Sequence, residues 1–588
     1  METVHKNTVF KLRNQMGSGL GNRVRDMFTK PIEHLVSLDR CHNFYRQLPE
    51  NKDIRLFLGS ILKALDVTVL TDEKAISAIP KTGPLVAVSN HPFGAIEGII
   101  MAQKFLSVRP DIKLMANGVL NRIPQLRQLL IPVNAFQYGK SVHANIGSLR
   151  FASQWVKQGG ALLIFPSGVV SHFQFPRFEI SDPSWNPVVG QIVHKTQAPV
   201  LPVYFAGSNG NLFQLAGMVH PWLRTALLPR EFLNKRGRQI EMKIGTLLPY
   251  TLLKKCDADH QLASYLRWRT YLLGHTAAGD SMSNPIKQSH QTAFRSPVAP
   301  PLDPAICKLE IEQLPANQQL VSNGANTAWI AQSEQIPRLL LEIARLRELS
   351  FRQAGEGTGQ SMDLDPFDAH YHHLFIWNHE TEEIIGAYRL GCTDTILEQH
   401  GPSGLYTSTL FRCDRAFYRN IGPAIELGRS FVRPEYQKAY APLLLLWRGI
   451  GQYVAQHPKY RTLFGAVSIS RDYKDFSRSI MASALLRHYP ADGGAGKLQP
   501  KSPVALKPLR LKGCKTGWQT RFCRDIDEID SAICDIESDH KGIPILLKQY
   551  LKLGGRLIAF NQDNKSNDTL DGLIVLDLLR TDRNILSR

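Results

Sequence analysis

The sequence predicts two α/β domains in succession, and three observations lead to this fold class. The chain has 588 residues, far more than one hydrophobic core usually supports, so at least two domains are expected. Short apolar runs of strand length alternate with helix-like segments in both halves, which is typical of α/β folds. A proline-rich stretch near the middle interrupts this alternation.

The predicted boundary lies between residues 281 and 326, where six prolines fall among polar residues and no periodicity is sustained. We therefore expect an N-terminal domain over residues 1–280, a linker over 281–326 and a C-terminal domain over 327–588. In the N-terminal domain we expect strands at 85–89, 161–165 and 200–205 and helices at 54–65 and 146–158. In the C-terminal domain we expect strands at 373–377, 384–390, 425–432, 463–470 and 573–579, and helices at 336–351, 441–457, 477–487 and 543–553.

The charge is unevenly distributed between the halves. The net charge is +19, of which about +17 lies in residues 1–300 and about +2 in the remainder. A strongly basic half implies an acidic partner, which charge alone leaves open among nucleic acid, an anionic membrane surface and an acidic protein.

The location is predicted from what the sequence lacks. The longest apolar runs fall well short of the roughly 20 residues that cross a bilayer. The basic N-terminus has no apolar core followed by a cleavage site, so we expect a cytoplasmic protein. The eight cysteines contain no C-x-x-C pair, which argues against a zinc site and a disulfide framework.

The first candidate site follows the strand at 85–89, which runs directly into the turn Asn90 to Gly98. A histidine at a strand end, with a carboxylate six residues later, suits a general base oriented by an acid. His91 would remove a proton from an attacking hydroxyl, and Glu97 would hold the ring and stabilise its charged form. The alternative is a purely structural role for both residues.

Two further motifs accompany this pair: Phe-Pro-Ser-Gly-Val-Val-Ser at residues 165–171 and a proline-containing strand at 199–204. In this order the three motifs resemble the glycerolipid acyltransferase family, over roughly residues 50–220. The resemblance implies that His91 and Glu97 are the catalytic pair. It also places Asn90, Arg122, Ser167 and Gly168 at the acceptor site. The alternatives are an ordinary turn glycine for Gly168 and a solvated surface charge for Arg122.

The sequence departs from the common pattern of that family at two places. Five residues instead of four separate the histidine from the acid, which is Glu97 in place of aspartate. Ser167 and Val170 stand where the family usually has glutamate and arginine, which removes charge expected to serve a phosphate-bearing acceptor. The set is most similar to the branch that acylates the hydroxyl of lyso-ornithine lipid.

The second candidate site is a set of charged and aromatic residues spread over one helix, one loop and two strands. Strand alternation places Glu426 and Arg429 on opposite faces, so one charge is expected to be buried or paired. Salt-bridged structural roles are the alternative for each member. The set comprises Arg347 and Phe351 on the helix, Asp363, Asp365 and Asp368 in the loop, Arg389 on one strand, and Glu426 and Arg429 on the other.

These residues resemble the ornithine N-acyltransferases and the related acyl-homoserine-lactone synthases, which have the N-acetyltransferase fold, over roughly residues 336–490. The resemblance implies that the set surrounds the acyl donor and the amine, with Glu426 accepting the amine proton directly or through water. The stretch 437–441 contains no glycine, so close backbone approach to a coenzyme A pyrophosphate is less favourable. This favours a donor carried on acyl carrier protein, with no tightly bound cofactor and no metal, because attack on a thioester needs a base, a positioned acceptor and oxyanion stabilisation.

As a whole the chain is most similar to bifunctional ornithine-lipid synthases. The resemblance implies N-acylation of ornithine with a 3-hydroxyacyl chain by the C-terminal domain, then O-acylation of the lyso-lipid by the N-terminal domain. The expected partners are acyl carrier protein, an anionic membrane surface on the inner face of the cytoplasmic membrane, ornithine and lyso-aminolipid, without nucleic acid. Two alternatives stay open: a phosphatidic-acid-type acyltransferase fused to a small-molecule N-acetyltransferase, and a non-catalytic basic membrane-binding protein. Ornithine, lysine, glutamine and glycine all remain candidate head groups.

Overall fold

A computed structural model describes residues 37–51, 53–133, 141–175, 177–275, 296–437, 439, 441–491, 498–504, 510–514, 517–563 and 568–580. The chain forms two compact units. The first takes in Met1–Met282 together with Arg510–Trp518 and Cys534–Ser538, and the second takes in Ser283–Leu509, Gln519–Ile533 and Asp539–Arg588. No helix in the described part of the chain is long and apolar enough to cross a bilayer.

The first unit alternates strands and helices along the chain. Its helices are α1 Leu38–Gln47, α2 Ile54–Ala64, α3 Glu73–Ser77, α4 Ile96–Leu106, α5 Ser141–Lys157, α6 Val188–Thr196, α7 Asn211–Val219, α8 Pro221–Leu233, α9 Tyr250–Leu253 and α10 Asp259–Leu272. Its strands are β1 Thr68–Leu70, β2 Leu85–Ser89, β3 Ile112–Asn117, β4 Leu130–Val133, β5 Ala161–Ile164, β6 His172–Gln174, β7 Glu179–Ser181, β8 Val200–Phe205 and β9 Gln239–Ile244.

Seven of these strands form one sheet in the order β1-β9-β8-β2-β5-β3-β4. Strands β8, β2, β5, β3 and β4 are parallel, and β9 runs antiparallel to β8. Every residue of β2, β5 and β8 is buried, as their uninterrupted apolar sequences predict for strands covered on both faces. Their carboxyl ends meet at one edge of the sheet, where the candidate catalytic loop begins.

The second unit is also mixed α/β. Its helices are α11 Pro304–Glu312, α12 Pro337–Gln353, α13 Thr393–His400, α14 Thr407–Leu410, α15 Arg415–Ile421, α16 Ala441–Gln456, α17 Asp475–His488 and α20 Ile545–Lys552. Between α17 and α20 lie α18 Trp518–Phe522 and α19 Ile526–Ile536, of which Trp518 and residues 534–536 belong to the first unit and the rest to the second. Its strands are β10 Gln319–Asn323, β11 Asn326–Gln332, β12 His372–Asn378, β13 Glu383–Cys392, β14 Phe411–Cys413, β15 Ala424–Val432, β16 Thr462–Ile469, β17 Leu498–Pro500, β18 Arg556–Asp563 and β19 Thr569–Asp577.

Eight strands form the sheet of the second unit in the order β10-β11-β12-β13-β15-β16-β19-β18. Strands β15 and β16 are parallel to each other, and they pair only over Ala424–Glu426 with Thr462–Phe464. Opposite β13, strand β15 carries a bulge between its pairings of Gly428 and Phe431. Within this bulge Arg429 adopts a left-handed backbone conformation with φ of 50°, which re-aims its side chain.

The predicted linker differs from the structure in its second part. Residues from Pro304 onward form α11 and then the edge hairpin of β10 and β11. Helix α11 begins with a proline, and the Asp303 side chain caps it by accepting a hydrogen bond from the Ala305 amide at 3.0 Å. The prolines that suggested a linker therefore include one that starts a helix.

The first unit also differs from the predicted span of 1–280, because two segments from far along the chain belong to it. Asp535, on one of these segments, pairs with Arg269 of α10, and both side chains are fully buried. The other oxygen of Asp535 accepts a hydrogen bond from the Thr246 amide at 2.7 Å. Residues beyond the predicted linker thus neutralise a buried charge of the first unit.

We predict that Asp535→Asn destabilises the first unit by about 3–5 kcal/mol, because it removes the carboxylate charge that pairs with the buried Arg269 guanidinium. Hydrogen exchange of the α10 amides under increasing denaturant measures this free energy. The exposed Asp257 of the same unit provides the control, since Asp257→Asn removes a carboxylate that water solvates. Equal stability of the two variants would show that the buried pair does not stabilise the unit.

Candidate active sites

The first site lies where the carboxyl ends of three parallel strands meet. Strand β2 leads into Asn90 and His91, β5 leads into Phe165, and β8 ends at Phe205. The His91 ring stacks on the Phe165 ring, with centroids 4.6 Å apart. The Asn90 side chain donates to the Phe205 carbonyl at 2.9 Å and accepts from the Phe205 amide at 2.8 Å. Asn90, predicted to bind the acceptor, is thus occupied in joining β2 to β8.

His91 and Glu97 are in direct contact. The His91 Nδ1 atom lies 2.9 Å from Glu97 Oε1, and the Glu97 side chain is 0% exposed while that of His91 is 16% exposed. The amides of Phe93 and Gly94 donate to the same carboxylate oxygen at 2.9 and 2.8 Å. Contact through Nδ1 leaves Nε2 for a reacting hydroxyl.

The ionisation of Glu97 follows from its partners. Burial opposes its charged form, but the charge and hydrogen bond of His91 and the backbone amide of Gly94 outweigh burial and lower the pKa of Glu97. An ionised Glu97 orients the imidazole and stabilises its protonated form, as a general base requires.

Asp182 holds the catalytic loop in place, and the sequence did not reveal it. Its buried carboxylate accepts from the His91 amide at 3.2 Å and from the Ser171 hydroxyl, and its second oxygen accepts from Trp185 Nε1 at 2.9 Å. The Ser171 amide in turn donates to the His91 carbonyl at 2.8 Å. A single aspartate before a proline in a loop carries no pattern that distinguishes it from a surface residue.

The other residues predicted for this site have different positions. Ser167 donates to the Val169 carbonyl at 2.8 Å, which closes the turn around Gly168. Gly168 has a φ of 66°, a conformation that favours glycine. Arg122 is exposed at the end of a 3-10 turn after β3, and no contact among the described residues joins it to His91.

The second site contains three arginines that are paired with three aspartates. Arg347 contacts Asp368 at 2.8 Å and Asp363 at 3.1 Å. Arg389 contacts Asp365 at 2.6 Å and Asp368 at 3.1 Å, and Arg429 contacts Asp363 at 3.2 Å and Asp365 at 3.4 Å. The network joins α12, the loop before β12, β13 and β15 into one cluster without net charge.

The network has a buried side and an open side. Arg347, Arg389 and Asp368 are almost fully buried, whereas the side chains of Arg429 and Asp365 are 20% and 17% exposed. Burial opposes the charged form of Asp368, but hydrogen bonding and charge from Arg347, with the charge of Arg389, hold its pKa below the ordinary value. The open side, at Arg429, is the part that a substrate can reach.

Phe351 of α12 was also predicted to belong to this site. Its side chain packs against the hydrophobic core.

Glu426 is enclosed by hydrogen-bond donors. The Tyr371 hydroxyl donates to its carboxylate, and so do the amides of Thr407 at 2.6 Å and Tyr406 at 3.1 Å. Burial raises the pKa of Glu426, an effect that these donors reduce. The bulge interrupts the strand alternation between Glu426 and Arg429: the Tyr406 amide donates to Glu426, and the Tyr406 ring centre lies 5.1 Å from the Arg429 guanidinium.

Comparisons with known proteins match each half of the chain to a different family of acyl-transferring domains. The family model "Acyltransferase" matches residues 40–279, and the model "Acetyltransferase (GNAT) domain" matches residues 346–447. A glycine N(alpha)-acyltransferase of Bacteroides thetaiotaomicron is 32% identical over 45% of this chain and 82% of the relative. The chain belongs to this N-acyltransferase family. The α/β fold class, with an acyltransferase domain before a GNAT domain, is confirmed.

Two further relatives of this acyltransferase complete the comparison. A lyso-glycine lipid O-acyltransferase of Phocaeicola vulgatus is 24% identical over 41% of this chain and 86% of the relative. Among solved structures, the 1-acyl-sn-glycerophosphate acyltransferase of Thermotoga maritima is 18% identical, with a TM-score of 0.25, over 42% of this chain and 95% of that protein.

Aromatic side chains surround the arginines of the acyltransferase's GNAT unit. The guanidinium of Arg389 lies 5.0 Å from the ring centre of Tyr371 and 5.5 Å from that of Tyr406, and Arg429 lies 5.1 Å from Tyr406. These contacts stabilise cations that hydrogen bonds satisfy only in part. Neither tyrosine was predicted from the sequence, because the two rings contact the arginines only in the folded chain.

A second group of carboxylates lies around Arg429. Glu356 is half-buried, and burial followed by the charges of Asp571 and Asp472 raises its pKa to about 7, which Arg429 opposes. Asp571 accepts a hydrogen bond from the Ser468 hydroxyl at 2.7 Å. Carboxylates therefore lie beside the open edge of the arginine network in this acyltransferase. Among the described residues no group of three or more His, Cys, Asp and Glu side chains is arranged to hold a metal ion. Of the predicted donor loop, Lys438 and Tyr440 lie outside the described residues.

We predict that Asp368→Asn costs the GNAT unit about 3 kcal/mol at neutral pH, because Arg347 and Arg389 would then share an uncompensated charge. The folded-state pKa of Asp368 is below the unfolded value of about 3.9, so its contribution is complete above that pH and declines as the pH falls through the folded pKa. Denaturant unfolding at pH 7 and at pH 3 should therefore show a smaller difference between wild type and variant at pH 3.

Asp475, whose side chain is 92% exposed, supplies the control Asp475→Asn. A difference that is unchanged at pH 3, or a variant as stable as this control at pH 7, would contradict the network's role.

Proposed function

We propose that this acyltransferase makes an aminolipid in two consecutive steps. The GNAT domain transfers a 3-hydroxyacyl chain to the α-amine of an amino acid, and the N-terminal domain then acylates the hydroxyl of that chain. The observation that carries the proposal is the joining of two acyltransferase domains in one chain whose relatives are named for an N-acylation and for the O-acylation of a lyso-lipid.

In the O-acylation, His91 acts as the general base. Its Nε2 atom accepts the hydroxyl proton as the oxygen attacks the thioester carbonyl, and the thiol then leaves with a proton returned by the imidazolium. Glu97, held ionised, stabilises the charged ring meanwhile. Ser167 and Val170 supply no charge for a phosphate, which suits a lyso-aminolipid acceptor.

In the N-acylation, Glu426 is our candidate for accepting the amine proton. Burial already raises its pKa, which makes it a better base than an ordinary carboxylate. Because Tyr371 and the backbone of residues 406–407 enclose the carboxylate, the proton would travel through the Tyr371 hydroxyl or a water molecule. Arg429, at the open edge of the network, is positioned to contact the carboxylate of the amino acid.

We propose ornithine as the head group. Three carboxylates, those of Glu356, Asp472 and Asp571, lie near Arg429; burial, followed by the charges of Asp571 and Asp472, raises the pKa of Glu356, and Arg429 opposes the rise. A second amine on the substrate could pair with these carboxylates, and glycine, the substrate in the names of two relatives, has no second amine. We further propose acyl carrier protein as the thioester carrier in the cytoplasm, since it is acidic and the N-terminal half is strongly basic.

We predict that His91→Ala stops only the second step, with a fall in O-acylation of about 10²–10⁴-fold, because the general base is lost. Mass spectrometry of lipids from a host that expresses the variant should show accumulated lyso-aminolipid. His194→Ala is a matched control, because His194 also lies near a carboxylate in the same unit, 3.9 Å from Asp259, but far in sequence from the motif. Normal diacylated lipid from His91→Ala would exclude the proposed role of His91.

We also predict that Glu356→Gln lowers kcat/KM for ornithine by about 10-fold and leaves that for glycine within about twofold, because one charge–charge contact at a half-buried site contributes roughly 1–2 kcal/mol. Purified protein assayed with each amino acid and a common acyl donor gives both values. Glu398→Gln is the control, because Glu398 is an exposed residue of α13. If the wild-type protein prefers glycine to ornithine, the proposal of ornithine as the head group is wrong and glycine takes its place.

A further inference from the structure

The surface of the first unit carries a cluster of large apolar side chains that are exposed and lie outside its hydrophobic core. Helix α7, the start of α8 and the β6–β7 hairpin present this cluster together. Three side chains are the most exposed: Val219 at 80%, Phe178 at 78% and Trp222 at 62%. We call this cluster the apolar face; it comprises Phe175, Phe178, Leu212, Leu215, Met218, Val219 and Trp222. A contiguous exposed apolar surface of this kind marks an interaction site.

The apolar face is built rigidly onto the unit. The opposite side of α7 is anchored by buried Phe213 and Gln214, and the Gln214 side chain accepts a hydrogen bond from the Phe173 amide at 3.0 Å. In the hairpin, the Phe173, Phe175 and Phe178 rings pack against one another at 5.5–6.4 Å. The exposure of these residues therefore belongs to the folded structure and does not result from fraying.

Basic residues outnumber acidic ones in the helical part of the apolar face. Between residues 206 and 240 the only acidic residue is Glu231, which is buried and bonded to the Gly210 amide at 3.1 Å. The same stretch holds the basic residues Arg224, Arg230, Lys235, Arg236 and Arg238, of which Lys235 is buried and paired with Glu231 at 3.6 Å. In the hairpin, Glu179 follows Phe178, and its carboxylate accepts hydrogen bonds from the Ser181 hydroxyl at 3.2 Å and the Gly513 amide at 2.7 Å. Apolar side chains with a tryptophan, on helices whose cations outnumber their acids, match the interface of an anionic bilayer.

The apolar face also adjoins the His91 loop. Leu228 of α8 packs so closely on Gly94 that a Cβ there would come within 2.7 Å of it. From the other side, Asn209 donates to the Phe93 carbonyl at 3.1 Å and its own carbonyl accepts from Gln214 at 3.4 Å. Between the helices and the hairpin lies a pocket of about 250 Å³, lined by His172, Phe173, Phe175, Gln214, Gly217, Met218 and Arg224.

We propose that the apolar face is the surface by which this acyltransferase docks on an anionic lipid bilayer, so that a lipid acceptor passes from the bilayer to His91 without crossing water. The proposal deepens the proposed O-acylation and rests on it for the identity of the acceptor. The bilayer is the occupant that the excess of basic residues in this stretch and in the N-terminal half favours over a second copy of this basic chain.

The test compares vesicle binding of the full-length chain with that of the triple variant Phe178→Ser, Val219→Ser, Trp222→Ser. Flotation with vesicles of phosphatidylcholine containing phosphatidylglycerol should show binding at least about 10-fold weaker for the variant, and wild-type binding should weaken as salt rises. The matched control is Leu56→Ser with Phe151→Ser, which removes apolar side chains that are 60% and 48% exposed elsewhere on the same unit and should bind as wild type.

Activity separates this proposal from the proposed function. The triple variant should acylate a short-chain lyso-aminolipid dissolved in water at the wild-type rate, while its rate on acceptor presented in vesicles falls with binding. Equal vesicle binding by variant and wild type overturns the docking surface even if O-acylation is intact. Sedimentation that shows a wild-type dimer dispersed by the triple substitution, with vesicle binding unchanged, overturns it in favour of self-association. Loss of activity on the dissolved acceptor shows damage to the site itself and also contradicts the proposal.

Discussion

Buried charge is the constraint on which both units depend. A charged side chain inside a protein is tolerated only where opposite charge and hydrogen-bond donors replace the water it has lost. In the second unit three arginines and three aspartates satisfy one another across one helix, one loop and two strands. Because each aspartate that lies between two arginines fixes both, the network sets where Arg429 stands, and with it the open edge that a substrate can reach.

The same constraint operates in the first unit at two places. Glu97 can be fully buried and ionised because His91 and two backbone amides contact it, and this pairing fixes the orientation of the His91 ring. Arg269 can be fully buried because Asp535 meets it. A fragment that ends in the proline-rich stretch would lack Asp535, the carboxylate that pairs with the buried Arg269. The two units are therefore not simply separable at that point.

Local sequence pattern was sufficient for most of the secondary structure. The buried strands β2 and β8 begin and end where their apolar runs do, and α2 and α12 lie within one or two residues of the predicted bounds, since hydrophobic periodicity is a local property. Asp182, Tyr371 and Tyr406 were missed because their roles come from contacts between residues far apart in sequence. The bulge at Arg429 was missed for a related reason: it depends on the register with β13, which the sequence of β15 alone does not contain.

In the proposed function, one chain performs two acyl transfers in a fixed order. A time course with the purified full-length chain, a ¹⁵N-labelled amino acid and both acyl thioesters, followed by mass spectrometry, tests it most directly. We expect the N-acylated lyso-lipid to appear first and to decline as the diacylated product accumulates. Diacylated product that forms with no lyso-lipid before it, or an ester that forms before the amide, would contradict the order of the two steps.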